Sequence, residues 1–244
     1  MNLESSNLTI AQIVAENYKT ADVFKKHGID FCCGGQRLIS DVCKDQKLNF
    51  DSVITELELV LTTHKTEHNF NSWSISFLID YIENNHHSYL NENLPIILQY
   101  AEKVATVHGD SHPETIEIFK LFKSIVNELT THLKKEELML FPNAKRLEKA
   151  IKEDLEFKLP PFEKFENPIS AMENDHDLAG DLCKKISELS NNYQPPKDAC
   201  NTYIVLYAKL KEFEDDLHKH VHLENNILHP KLIKLEAMLE QANT

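Results

Sequence analysis

Glycine is scarce in this chain. There are 5 glycines in 244 residues, beside 41% hydrophobic and 27% charged residues, and this composition is helix-prone. Basic residues are short too: 26 Lys and Arg face 39 Asp and Glu, for a formal net charge of -13. Without a basic stripe to neutralise phosphates, neither nucleic acid nor an anionic membrane surface is an expected partner. No apolar run approaches the length that spans a bilayer. The opening MNLESSNLTIAQ has neither the basic start nor the apolar core of a signal peptide. Cysteine is present, but not as a disulfide framework: there are 5, an odd number, and Cys32 and Cys33 are neighbours. Adjacent Cα atoms lie about 3.8 Å apart, below the usual disulfide range of about 4.4–6.8 Å. A reducing cytoplasm is therefore the expected location.

What is present reads as helix throughout. The length suits one large domain, or a medium domain with a small one. The expected division is a small helical unit over 1–62, a polar linker over 63–72 and a bundle over 73–244. In the small unit, helices are expected over Thr9–Asn17, from Thr20 to a stop at Lys25-Lys26-His27-Gly28, over Arg37–Cys43 and over Phe50–Leu61. Four longer helical stretches follow. The first runs over Trp73–Val107, with Trp73 as an anchor and Pro95 expected to kink or split it. The second starts at a Ser111–Glu114 capping box and reaches Lys152. The third starts at a second box, Ser170–Glu173, and ends near Ser190. The fourth runs from Pro196 to Asn226, with a further piece after Pro230. Such a series predicts an all-α, up-down four-helix bundle preceded by a small helical domain.

Two segments of the bundle repeat each other. His132-Leu-Lys-Lys-Glu136-Glu-Leu-Met-Leu140-Phe-Pro142 and His220-Val-His-Leu-Glu224-Asn-Asn-Ile-Leu228-His-Pro230 both read H-x-x-x-E-x-x-x-L-x-P. One His-x-x-x-Glu arises easily by chance in an acidic helical protein. Two copies with a common Leu and Pro, in equivalent helices of the two halves, do not. Residues four apart lie on one helix face, so each imidazole and carboxylate can reach one ion, or a carboxylate can bridge two. Inward Glu and His residues are a recurrent way for bundles to hold two metal ions, although ferritin-like bundles use Glu-x-x-His instead. The third helix offers His176, and the first offers His86 or His87. His87 and His132 are nearly as far apart in sequence as His176 and His220, which favours His87. The resulting set is His87, His132, Glu136, His176, His220 and Glu224. Nitrogen and oxygen donors without thiolates suit iron or manganese better than a structural zinc.

Beyond this, the chain resembles a known family along nearly its whole length. Asp30-Phe31-Cys32-Cys33-Gly34-Gly35 is similar to the N-terminal signature of the iron–sulfur cluster repair di-iron proteins (the RIC family, YtfE/ScdA type). The stretches Ile79-Asp80-Tyr81-Ile82, His86-His87 with Leu94-Pro95, and His132-Leu-Lys-Lys-Glu136-Glu resemble their hemerythrin-like domain. So do Met172-Glu173-Asn174-Asp175-His176-Asp177 and Leu223-Glu224-Asn225-Asn226. The resemblance implies a non-haem centre of two iron ions, with terminal ligands at His87, His132, His176 and His220 and bridging carboxylates at Glu136 and Glu224. The spacing to Leu94-Pro95 again selects His87. It implies repair of clusters damaged by nitrosative or oxidative stress, by iron donation, nitric oxide chemistry or both. Damaged iron–sulfur proteins are then the partners, and nitric oxide or oxygen species the small ligands. Two other readings stay open: an enzyme reducing nitric oxide or peroxide, and a hemerythrin-like protein that binds or senses oxygen or iron. A homodimer is an arrangement open to it.

The remaining histidines and cysteines divide by setting. Gly34 and Gly35 permit positive φ and close backbone approach, so Cys32 and Cys33 are expected on a tight exposed turn as candidate reactive thiols. Cys43, Cys183 and Cys200 are expected in the core. His86, His218, His222 and His229 lack ligand spacing and are expected at the surface or behind the ligands. His108 and Asp175 are candidate hydrogen-bond partners for metal-bound imidazoles. His64 and His68 are expected to be solvated.

Overall fold

The computed structural model describes residues 7–63, 69–158 and 160–242, so His64 and His68 lie outside the described residues. Four short helices come first: α1 (Ile10–Glu16), α2 (Thr20–Lys26), α3 (Ile39–Asp45) and α4 (Phe50–Thr63). Thr9 caps α1 through a reciprocal box, with its hydroxyl accepting from Gln12 N at 3.2 Å and Gln12 Oε1 accepting from Thr9 N at 3.0 Å. After α2, Gly28 takes φ +67°, the left-handed stop that its sequence position suggests.

The bundle follows in four antiparallel lengths. The first joins α5 (Ile75–Tyr81) to α6 (Ser88–His108) through a π turn at Ile82–His87. The second joins α7 (Glu114–Lys135) to α8 (Phe141–Lys152) through a π turn at Glu136–Leu140. The third is α9 (Glu166–Leu189). The fourth joins α10 (Asn201–Leu223) to α11 (His229–Ala242) through a π turn at Glu224–Leu228. Helix α6 packs on α7 and α10, and α9 packs on the same two, which closes the four-sided bundle. The all-α, up-down architecture is therefore as expected. Among the described residues, no helix is long and apolar enough to cross a membrane.

Several local expectations change. Pro95 lies inside a continuous α6, and the departure from α geometry comes earlier, at Ile82–His87. The Ser111–Glu114 box does not form: Pro113 precedes α7 in helical conformation, and the Ser111 hydroxyl donates to His108 O at 3.2 Å. Ser170 and Glu173 lie inside α9, which starts at Glu166. Helix α10 starts at Asn201 rather than Pro196, with Cys200 as its exposed N-cap. Cys200 is therefore not a core residue, whereas Cys43 and Cys183 are buried as expected.

The small unit sits on its own bundle. Ile10, Phe24 and Leu57 belong to the same buried apolar cluster as Leu90, Phe122 and Phe213 of the bundle. Lys25 Nζ bonds Asp215 at 2.6 Å across this junction. Lys219 Nζ lies 5.7–5.8 Å from the ring centres of Tyr18, Phe70 and Tyr81, so one cation ties three segments together. Trp73 stacks edge-on to Phe70, Phe77 and Tyr81 at 4.6–5.1 Å, which is the anchoring role expected of it.

Glu148 of α8 closes the start of α5. Its carboxylate accepts from Ile75 N and Ser76 N, both at 3.0 Å, and from the Ser76 hydroxyl. Burial pushes this carboxyl up, but the bonds from Ser76, Lys152 and Ile75 outweigh it and hold the group below its ordinary value. Replacing Glu148 by Ala strands buried N–H groups at a helix start, so stability in urea falls by about 1–3 kcal/mol. Because the folded state lowers this pKa, the wild-type advantage is full above the ordinary value of 4.5 and fades as pH falls through the lower folded value. A difference between wild type and variant that grows on acidification would contradict this account.

Candidate metal centre

His132 and Glu136, like His220 and Glu224, stand one turn apart on a single helix face, so each pair projects to the same side. His132 Nε2 lies 3.3 Å from Glu136 Oε2, and His220 Nε2 lies 2.9 Å from Glu224 Oε1. His87 enters from the first length and His176 from α9: His87 Nε2 is 3.4 Å from Glu136 Oε2, and His176 Nε2 is 3.1 Å from Glu224 Oε2. All six residues are buried, none more than 1% exposed. They form two donor groups, His87–Glu136–His220–Glu224 and His132–Glu136–His176–Glu224, each with donor atoms within 4.8 Å of one another. Both carboxylates belong to both groups.

This arrangement fits cations on its own terms. Both Glu136 oxygens, Glu224 Oε2 and His87 Nε2 are buried without a hydrogen-bond partner. His132 Nε2 and His176 Nε2 face each other at 3.0 Å, so two ring nitrogens converge on one region. Lone pairs that converge in an apolar core without donors are costly unless a positive charge satisfies them. Burial and the charge of Glu224 push the Glu136 carboxyl up, yet His132 and His87 pull it down to about 2. Burial alone lowers the His132 imidazole, and the charge of Glu136 reverses this, raising it to about 9. The pocket is thus strongly cation-seeking.

The outer ring nitrogens are held from behind. His87 Nδ1 bonds Glu137 Oε1 at 2.9 Å, His132 Nδ1 bonds Asp175 Oδ2 at 3.4 Å, and His176 Nδ1 bonds Asn225 Oδ1 at 2.8 Å. Such bonds fix ring orientation and leave Nε2 facing inward. Asp175 serves His132 rather than its neighbour His176. His108 plays no such part, since its Nε2 meets Cys200 Sγ at 3.2 Å. His220 Nδ1 has no partner; instead the His220 ring lies parallel to His86 at 5.6 Å, and His86 Nδ1 bonds Asp216 Oδ1 at 2.9 Å. His86, His222 and His229 are buried, not surface residues. His229 lies parallel to His176 at 6.4 Å. His222 and His218 pack on Phe31, and burial lowers their imidazoles to about 3 and about 4, so both are neutral.

Comparison with known proteins places this geometry in a lineage. Residues 78–232 match the hemerythrin HHE cation binding domain, and residues 6–77 match a domain of unknown function, DUF542, of ScdA N-terminal type. The iron–sulfur cluster repair protein ScdA of Staphylococcus haemolyticus is 32% identical over 91% of this chain and 96% of its own length. The chain belongs to this repair family. A probable iron–sulfur cluster repair protein of Haemophilus influenzae is 36% identical over 86% of this chain and 90% of its own length. The repair protein YtfE of Yersinia pseudotuberculosis is 30% identical over 96% of this chain and 100% of its own length.

In this member of the repair family the cysteine loop differs from the open turn expected. Asp30 organises it: its carboxylate accepts from Cys32 N at 2.9 Å, Cys33 N at 3.0 Å and Gly34 N at 3.0 Å. Gly28 is the only glycine with positive φ among the described residues, so Gly34 and Gly35 serve by lacking a side chain. A Cβ on Gly35 would lie 2.7 Å from Phe31 O. Cys32 is buried, at 5% exposure, and Cys33 is half-buried with its Sγ 3.9 Å away. The bond to Cys33, burial and the Asp30 charge hold the Cys32 thiol well above its ordinary pKa, the reverse of an activated thiolate.

Glu137, Asn225 and Asp216 were not singled out by sequence. The signal for Glu137 and Asn225 was adjacency to the repeat glutamates, which only the π turns give meaning, whereas Asp216 lies four residues before His220 within α10. Asn225→Ala removes the partner of His176 Nδ1. Metal affinity in competition with a chelator is expected to fall about 10–100-fold. An unchanged affinity would mean that this bond does not orient the ring.

Proposed function

We propose that this chain holds two iron ions and uses them to repair iron–sulfur clusters damaged by nitrosative or oxidative stress. The observation that carries this reading is the sharing of Glu136 and Glu224 between two four-residue donor groups. His87 and His220 would serve one ion and His132 and His176 the other, with the two carboxylates common to both. The relatives' names, which specify iron–sulfur cluster repair, support the same reading. Iron in this nitrogen and oxygen donor set supplies one-electron redox chemistry and affinity for nitric oxide and oxygen species.

The residues of the chain fix what surrounds that chemistry. Three imidazoles are locked by outer hydrogen bonds, and the two carboxylates balance cationic charge inside an apolar shell. Cys32 and Cys33 stand at the junction of the small unit (1–62) and the bundle (73–244), as candidate thiols for exchange with a client. The five cysteines are free, which suits a cytoplasmic location.

The test has two stages. Wild-type protein is expected to bind about two irons per chain, and Glu136→Ala or His220→Ala to lose most of them. Metal content equal to wild type in both variants would sink the ligand assignment. Iron-loaded protein mixed with a nitric-oxide-damaged iron–sulfur enzyme should then restore that enzyme's activity. Turnover of nitric oxide or peroxide with an electron donor, without reactivation, would favour the reductase reading. Reversible oxygen binding alone would favour the carrier reading. Cys32→Ser/Cys33→Ser protein that repairs as well as wild type would remove the thiols from the function.

A further inference from the structure

The π turn at Glu224–Leu228 does two jobs with neighbouring residues. Asn225 bonds His176 Nδ1 at 2.8 Å, on the metal side. Asn226 turns the other way, into the cysteine loop. Its Nδ2 donates to Phe31 O at 3.1 Å and to Cys32 O at 3.3 Å, and approaches His222 Nδ1 at 3.0 Å. Its Oδ1 accepts from Gln36 Nε2 at 3.3 Å. Among the described residues, the hydrogen bonds from the loop at 31–36 to the bundle all end on Asn226. Apolar packing adds to them: the Phe31 ring lies 5.9 Å from His218 and 6.2 Å from His222, and a Cβ on Gly180 would meet Cys33 Sγ at 3.9 Å. Gly35 shows how closely the two surfaces meet, because a Cβ there would lie 2.8 Å from Asn226 Oδ1 and 2.7 Å from Phe31 O.

We propose that Asn226 is a positioning residue that latches the Cys32–Cys33 loop to the segment carrying Glu224 and Asn225, so that lifting the loop loosens the hold on metal. The latch rests on these hydrogen bonds, beside the packing of Phe31 on His218 and His222; its effect on metal rests also on the di-iron reading above. The physical link is short. Glu224 lies two residues before Asn226 on one wide turn, and Asn225 lies between them with its side chain on a ligand ring. Loss of the loop contacts frees Asn226, and the turn that orients Glu224 and Asn225 loses its outer support. The loop also shields Cys32, which is 5% exposed, so reagents reach that sulfur when the loop lifts.

Two variants approach the latch from opposite sides. Asn226→Asp keeps the size but puts a carboxylate against two carbonyl oxygens. Gly35→Ala leaves the bundle sequence intact and crowds both Asn226 and the loop's own Phe31 carbonyl, so the loop has to shift. The full iron-loaded chain is pulsed with iodoacetamide, and Cys32 and Cys33 labelling is read by peptide mass, with exposed Cys200 as internal reference. Iron loss to a chelator is followed in parallel, and thermal unfolding checks that each variant folds. A net hydrogen bond is worth about tenfold in an opening equilibrium, so Cys32 labelling should rise about tenfold or more in both variants. Iron loss should quicken about threefold or more while Cys200 labelling stays constant. If Asn226→Asp does not fold, Gly35→Ala decides. Unchanged Cys32 labelling overturns the latch. Raised labelling with wild-type iron loss overturns the coupling. Wild-type protein that binds no iron overturns the functional reading and the coupling with it, while labelling still decides the latch.

Discussion

Two carboxylates in the middle of a helical bundle set the terms for the rest of this molecule. Glu136 and Glu224 are fully buried, and moving an unpaired carboxylate from water into such a core costs several kcal/mol. Four imidazoles surround them, and every neighbouring layer has to keep those rings in place. The outer acceptors Glu137, Asp175 and Asn225, the parallel stacking of His86 on His220, and the flat approach of His229 to His176 all serve that end. The polar centre organises the apolar shell as much as the shell encloses it.

The π turns are the backbone's answer to that demand. They occur at Ile82–His87, Glu136–Leu140 and Glu224–Leu228, each containing or beginning at a proposed ligand. A π turn widens the helix by one residue, so neighbouring side chains fan apart more than a regular turn allows. Glu136 can then face inward while Glu137 reaches His87, and Glu224 inward while Asn225 reaches His176. Pro142 and Pro230 follow directly. A residue without an N–H is well tolerated where the hydrogen-bond ladder slips, which gives the Leu-x-Pro tail of both repeats a physical reason.

Sequence therefore carried the fold and the six-residue cluster further than it carried their surroundings. Periodicity and the His-x-x-x-Glu repeat depend on relations within one helix, and these are written in consecutive residues. His132 and Glu136 are legible because four residues apart means one face. Relations between helices are not written that way. The partnership of Asp175 with His132 crosses from α9 to α7, and no spacing encodes it. The capping boxes at Ser111 and Ser170 do not form because the helices start elsewhere, α7 after Pro113 and α9 at Glu166, where the preceding Phe165 N donates to Glu236 of α11. The cysteine loop departs from the open turn because its glycines allow close approach, Gly34 to Asp30 within the loop and Gly35 to Phe31 O and Asn226, and not a left-handed backbone.

One arrangement has a meaning for folding as well. The polar centre divides the interior into two apolar clusters. One contains Leu90, Phe122 and Leu133 together with most of the small N-terminal unit's core, and the other contains Leu78, Phe141, Met172 and Leu228 with Ala15 of α1. Among the described residues the two buried clusters are separate, and the continuous helical lengths and the seam of imidazoles and carboxylates join them. The ions such a seam attracts would act as the clasp between two half-cores, and the chain's cooperativity, not only its chemistry, would follow its metal.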